Sequence, residues 1–125
     1  MQISGFDHIV LCTKDVAATR SFYESCLGMR PVEERSGKWS LHFGPHKISL
    51  QDVKAGPPNA RNTTPGSGNF CLLTATPMNA VVEHLETHGV KIIEGPGERI
   101  GATGTLLSVY FRDPDDNLVE VSTLL

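Results

Sequence analysis

The chain repeats its own pattern at a constant offset of sixty-one positions: Thr13 falls on Thr74, Gly28 on Gly89, Met29 on Val90 and Glu33 on Glu94. The repeat is one of structure signals rather than of composition. In the first copy an apolar run from Phe6 to Cys12 alternates, with Ile9 and Leu11 on one face and His8, Val10 and Cys12 on the other. Asp15 is an N-cap candidate, Val16, Thr19, Phe22, Tyr23, Cys26 and Leu27 follow at helical spacing, and Gly28 supplies the left-handed stop. Short strands are expected at Arg30 to Glu34, Lys38 to Phe43 and Lys47 to Val53, with Gly37 and Gly44-Pro45 at the turns. The second copy reads Asn69 to Thr74 as a strand and Thr76-Pro77 as a cap with proline at the first helical position. A Val81, Val82, Leu85 stripe then ends at Gly89, and strands are expected at Val90 to Glu94, Thr105 to Arg112 and Leu118 to Thr123.

A module of about 55 residues buries too little surface to be stable alone, so the two copies are expected to share one domain. The expected boundaries are residues 1–53 for the first module, a Pro-, Gly-, Asn- and Thr-rich linker over 54–68, and 69–125 for the second. Strand, helix, three strands, taken twice, predicts an α+β fold: two βαβββ modules whose curved mixed sheets surround a cup-shaped cleft.

Composition narrows the partners. A net charge of −3 leaves no basic footprint for nucleic acid or an anionic membrane. No apolar run approaches the roughly 20 residues that span a bilayer, and MQISGFDHIV lacks the charged head and long apolar stretch of a signal peptide. Cys12, Cys26 and Cys71 are odd in number and without CxxC spacing, which predicts small buried hydrophobes in a reducing, cytoplasmic setting. The Asn62-Thr63-Thr64 sequon then carries little weight.

The strongest chemical signal is Glu120, alone among the apolar residues of DPDDNLVEVS at 113–122. An ionised group buried without a partner costs several kcal/mol, so Glu120 must be exposed, paired, protonated or bound to a cation. His8 stands at the start of the first strand. In LLSVYFRD, Leu107, Val109 and Phe111 share one face and Leu106, Ser108, Tyr110 and Arg112 the other. If the second set faces the cleft, Ser108 and Tyr110 could orient a polar substrate and Arg112 hold a carboxylate; otherwise Arg112 pairs with Asp113 or Asp115 at the turn. His42 and His46 bracket a Gly-Pro turn, and His42 could line the cup as a general base. His84 and His88 are four apart on the second helix, but without partners they read as a solvated face. The glycine-rich EGPGERIGATGT at 94–105 lacks phosphate-loop spacing and a following helix, and is expected to be a loop with Glu98 and Arg99 at its rim.

The two patterned modules, FYESCLGM at 22–29, GPGERIGATG at 95–104 and YFRDPDDNLVEV at 110–121 together resemble the glyoxalase/bleomycin-resistance/extradiol-dioxygenase family, the vicinal oxygen chelate superfamily. The resemblance covers nearly the whole chain and looks closest to the small glyoxalase-domain-containing proteins. It implies a divalent metal held from the first, fourth, fifth and eighth strands, with His8 and Glu120 matching two of the ligand positions. The fifth-strand position, usually His, is Asn69 here, and the fourth falls near Ser49 or Gln51. His8, Gln51, Asn69 and Glu120 would bind Zn, Mn, Ni, Fe or Mg weakly, because two members are neutral amides. Without an ion, His8 and Glu120 would form a proton-transfer pair. The DPDDN turn is similar to the family's DPDGN, with Asp116 in the glycine position.

Lyase or isomerase chemistry of the glyoxalase type on a small molecule is the implied activity. Asn69 removes a histidine that extradiol cleavage uses. The alternative is a metal-free cup that sequesters a small molecule, lined by Trp39, Phe43 and Tyr110. The resemblance also implies a homodimer.

Overall fold

The computed structural model describes all 125 residues, as two compact units, Met1–Ser67 and Gly68–Leu125. In the first, β1 (His8–Thr13), α1 (Val16–Leu27), β2 (Arg30–Arg35), β3 (Lys38–Phe43) and β4 (His46–Asp52) form a four-stranded sheet in the order β1-β4-β3-β2. In the second, β5 (Asn69–Leu73), α2 (Met78–Thr87), β6 (Glu94–Ile100), β7 (Thr105–Arg112) and β8 (Leu118–Leu124) repeat that order as β5-β8-β7-β6. In each sheet the first and last strands run parallel and the other pairs antiparallel. The expected βαβββ organisation is the one observed.

Each helix covers one face of its own sheet. Thr13 Oγ1 lies 2.7 Å from Thr19 Oγ1 of α1, which fixes the Ile9, Leu11, Thr13 side of β1 as the helix side. Leu11, Tyr23, Cys26, Leu41 and Ile48 are buried there. In the second unit Val109, Phe111, Val119 and Val121 are buried with Met78, Val81 and Leu85 of α2. The alternate residues of every strand therefore form the open face of each sheet.

The caps show how the copies have diverged. The Asp15 side chain accepts from Ala18 N at 3.0 Å, and Gly28, at φ 65°, donates to Glu24 O at 3.1 Å, closing α1 at both ends. Thr76 occupies the equivalent place before α2 but makes no side-chain cap; its amide donates back to Thr74 Oγ1 at 3.1 Å, and Pro77 is the boundary residue. The expected Thr76 cap is thus corrected. Asp15→Ala should cost about 1 kcal/mol of stability, read as a lowered urea midpoint, and Thr76→Ala much less.

The second correction concerns the glycine-rich segment. Only residues 101–104 are irregular: Glu94–Ile100 forms edge strand β6, with a register shift between Glu94 and Gly97. Residues 90–93, expected to begin that strand, lie outside it. Pro96 is tolerated because an edge strand can leave the missing N–H on its unpaired side. No helix is long and apolar enough to cross a membrane.

Candidate functional site

The open face of the first sheet is read directly from its register. His8, Lys47 and His42 stand in one row across β1, β4 and β3. His8 Nδ1 lies 2.6 Å from Asp7 Oδ1; donation of the Nδ1 proton to that carboxylate leaves Nε2 as the acceptor. The hydrogen bond and charge of His8 hold the Asp7 carboxyl below its usual range. Lys47 Nζ reaches both oxygens of Glu34 at 2.8 and 2.9 Å, and His42 Nε2 is 3.3 Å from Glu34 Oε1. The Lys47 bond is the main reason the Glu34 carboxyl is lowered. These pairs are substantially exposed, so they orient side chains more than they stabilise the unit. Gln51 is on the same face, its amide donating to Asn59 Oδ1.

Trp39 is not on that face. It alternates with Ser40 and His42 and packs on the helix side, where the Arg20 guanidinium of α1 lies 3.6 Å from its ring centroid. Phe43, four residues on, shares the helix side by the same alternation. The expectation that these rings line the open face is therefore corrected: both lie on the helix side of β3, half-buried.

The open face of the second sheet is chemically richer. Cys71, Glu120, Tyr110 and Glu94 form one row across β5, β8, β7 and β6. Ser122 donates to Glu120 Oε1 at 3.2 Å, and its Oγ is 2.6 Å from Ser108 Oγ and 3.2 Å from Cys71 Sγ. Burial pushes the Tyr110 phenol up, and its hydrogen bond with Glu120 adds to this, against a pull downward from Arg99. Burial likewise pushes up the Cys71 thiol, with the Glu120 charge adding to it and Ser122 opposing. A half-buried carboxylate is thus flanked by a neutral phenol and a neutral thiol, both able to donate. Arg99 holds Glu94 Oε1 at 2.8 Å and stands 5.2 Å from the Tyr110 ring centroid.

Other candidates take lesser places. Ser108 is fully buried and supports Ser122, so it is no contact for a ligand. Arg112 is exposed at the strand end, where its Nη1 donates to the backbone carbonyl of Asp116 at 3.4 Å, a different partner from the Asp113 or Asp115 carboxylate expected. Asn69 is an exposed strand-start residue opposite Leu118. Cys12 and Cys26 are buried as expected, whereas Cys71 is exposed.

The sequence profile of the Glyoxalase/Bleomycin resistance protein/Dioxygenase superfamily matches residues 5–121. The chain belongs to this superfamily. Among its relatives, virulence protein STM3117 of Salmonella typhimurium is 45% identical over 123 residues, 98% of this chain and 85% of that protein. Glyoxalase domain-containing protein RDO1 of Mycosarcoma maydis is 39% identical, covering 98% of this chain and 70% of its own length. The integron cassette protein VCH_CASS1 of V. cholerae superposes with a TM-score of 0.95 at 45% identity, covering 98% and 97% of the two chains. Superfamily membership and the two-sheet α+β fold are thereby established.

A divalent ion, common in the superfamily, needs a donor set this chain lacks. The register opposes Val10 to Ser49 in the first unit and Cys71 to Glu120 in the second, making Ser49 the structural counterpart of Glu120. His8 and Asn69 are counterparts in the same way. Of His8, Ser49, Gln51, Asn69 and Glu120 only His8 and Glu120 are strong ligands, the two amides being weak neutral donors, and no group of three His, Cys, Asp or Glu is gathered to hold an ion. The residues do not fit a retained metal, so the chemistry below rests on side chains alone.

Cys71, Ser122, Glu94, Glu34 and Lys47 were not singled out from the sequence. Ser122 carried a usable signal, lying two positions from Glu120 on the same face; the others become neighbours only through register.

Proposed function

We propose that the chain is a small-molecule enzyme of the lyase/isomerase type, in which Glu120 moves a proton at a carbon beside a carbonyl. The carrying observation is the contrast between the two copies of one fold. The row Val10, Ser49, Ser40, Val32 of the first sheet is apolar or neutral, and its counterpart is Cys71, Glu120, Tyr110, Glu94. The two units share one strand order, so the fold by itself does not call for the charged row. We read that charged and donor-rich row as serving chemistry.

Glu120 accepts the substrate proton while the carbonyl oxygen, gaining negative charge, takes a hydrogen bond from the neutral Tyr110 phenol. Because the folded phenol titrates above its ordinary range, donor-dependent activity should persist to more alkaline pH than an unperturbed tyrosine allows. Tyr110→Phe should lower the rate and abolish that alkaline limb in a pH–rate profile. His8, oriented by Asp7, is proposed as the second proton carrier, and His8→Ala should reduce turnover without altering the urea midpoint. We also take the chain to act as a homodimer, with residues 54–68 as a linker between modules; a light-scattering mass equal to one chain would reject the dimer.

The function is tested by incubating the protein in D2O with pyruvate, hydroxyacetone and acetoin and following the loss of the proton signals next to the carbonyl. Exchange well above the solvent rate supports the enzyme. One-to-one binding with no exchange would replace it with a sequestering protein.

A further inference from the structure

We propose that the substrate is a 2-oxo acid, whose carboxylate is held by Arg99; this rests on the proton-transfer role of Glu120. The placing of Arg99 is peculiar. Its backbone is opposite Leu106, near the far end of β7 from Tyr110, yet its guanidinium reaches back to Tyr110 and Glu94. The side chain must therefore run along its own strand, over the position two residues before it. That residue is Gly97, and a Cβ there would stand 3.2 Å from Arg99 Nη1. The missing side chain leaves room for the guanidinium beside the row, where an added Cβ would crowd it.

Once there it is held from two sides. Nη2 donates to Glu94 Oε1 at 2.8 Å and Nη1 to Glu98 O at 2.7 Å. A guanidinium has five N–H donors, so several stay available in a fixed plane, suited to a carboxylate. Tyr110 stands opposite Glu120 in the register of β7 and β8, with the Arg99 guanidinium 5.2 Å from its ring centroid on the other side. Cation, neutral donor and carboxylate base thus follow one another across the open face. A 2-oxo acid presents the complementary order: carboxylate, carbonyl oxygen, acidic C–H.

The step balances without a further reactant. Glu120 takes the C–H proton, the C–H electrons become the C=C bond of the enolate, and the carbonyl π electrons move onto the oxygen that Tyr110 donates to. Return of a proton from Glu120 to carbon completes the exchange. Glu94 and Gly97 are positioning residues, because they act only through the Arg99 head.

The test compares pyruvate with its neutral analogue pyruvamide by NMR-detected titration. Wild type should bind the acid roughly 10- to 100-fold more tightly, the scale expected when a charge-assisted pair is lost. Arg99→Gln should bring that ratio near unity with its urea midpoint little changed. Gly97→Ala, which leaves the guanidinium in place chemically but crowds it, should give an intermediate ratio and guards against Arg99→Gln failing to fold. Equal affinity for acid and amide in wild type, no binding of pyruvate, or an unchanged ratio in both variants overturns the proposal. Pyruvate held through Arg99 without deuterium exchange would retain the acid site and reject proton transfer. Exchange of hydroxyacetone without binding of pyruvate would do the reverse.

Discussion

Glu120→Gln is expected to lower the rate of deuterium exchange by about 10²- to 10⁴-fold while the protein stays folded and still binds its ligand. Glutamine keeps the shape and the acceptor for Ser122, which lies 3.2 Å from Oε1, but is far too weak a base to take a carbon-bound proton. The variant also replaces one acceptor oxygen by an amide, so the Tyr110 phenol loses the anionic partner that helps keep it protonated. An accompanying fall of the Tyr110 titration toward its ordinary value would show that the two groups act as a unit. Undiminished exchange would transfer the base role elsewhere, and His8 would be the first group to replace.

Asp113→Ala should cost about 3 kcal/mol of unfolding free energy, seen as a large loss in urea midpoint with little change in slope. This carboxylate accepts three of the hydrogen bonds that close the turn before β8. Asp113 Oδ1 accepts the amides of Asp115 at 2.9 Å and Asn117 at 3.0 Å, and Oδ2 accepts Asn117 Nδ2 at 2.8 Å. Asn117 Oδ1 in turn takes Gly68 N at 2.7 Å, tying the start of the unit to the turn. Asp113 and Asn117 are only 4% and 2% exposed, so alanine leaves buried donors with little access to water. The charged bonds are each worth about 1.5–3 kcal/mol, of which part is recovered by relaxation. Asn117→Ala should cost less, about 2 kcal/mol, since it orphans fewer groups. Because β8 follows at once, loosening this turn should also disturb Glu120, and exchange should fall with stability in Asp113→Ala.

Periodicity made most of the architecture legible. The strands at 38–43 and 105–112 have the bounds expected from alternation, and the face assignment in LLSVYFRD holds because Val109 and Phe111 sit under α2. Asp116 takes the left-handed turn position, φ 66°, that its place in DPDDN implied. Three things were hidden for three reasons. Strand β6 was masked by glycine and proline, which composition assigns to loops and an edge position tolerates. Trp39 was placed by its chemistry instead of its alternation with Leu41 and Phe43, although KWSLHF separates an apolar face from a polar one. Arg99, finally, acts on Tyr110 through the length of its side chain and the gap at Gly97, a relation that no spacing rule contains. The repeat itself fades after Glu33 because the register, not the residue offset, relates the later strands, and only pairing reveals that Ser49 answers to Glu120.

The most direct test is to titrate pyruvate or hydroxyacetone into protein carrying labelled glutamate and tyrosine side chains and map the shifts by NMR. The largest changes should fall on Glu120 and Tyr110, with neighbouring amides of β7 and β8 following. Saturable binding that moves helix-side residues and leaves Glu120 and Tyr110 where they were would contradict a working face built on that carboxylate.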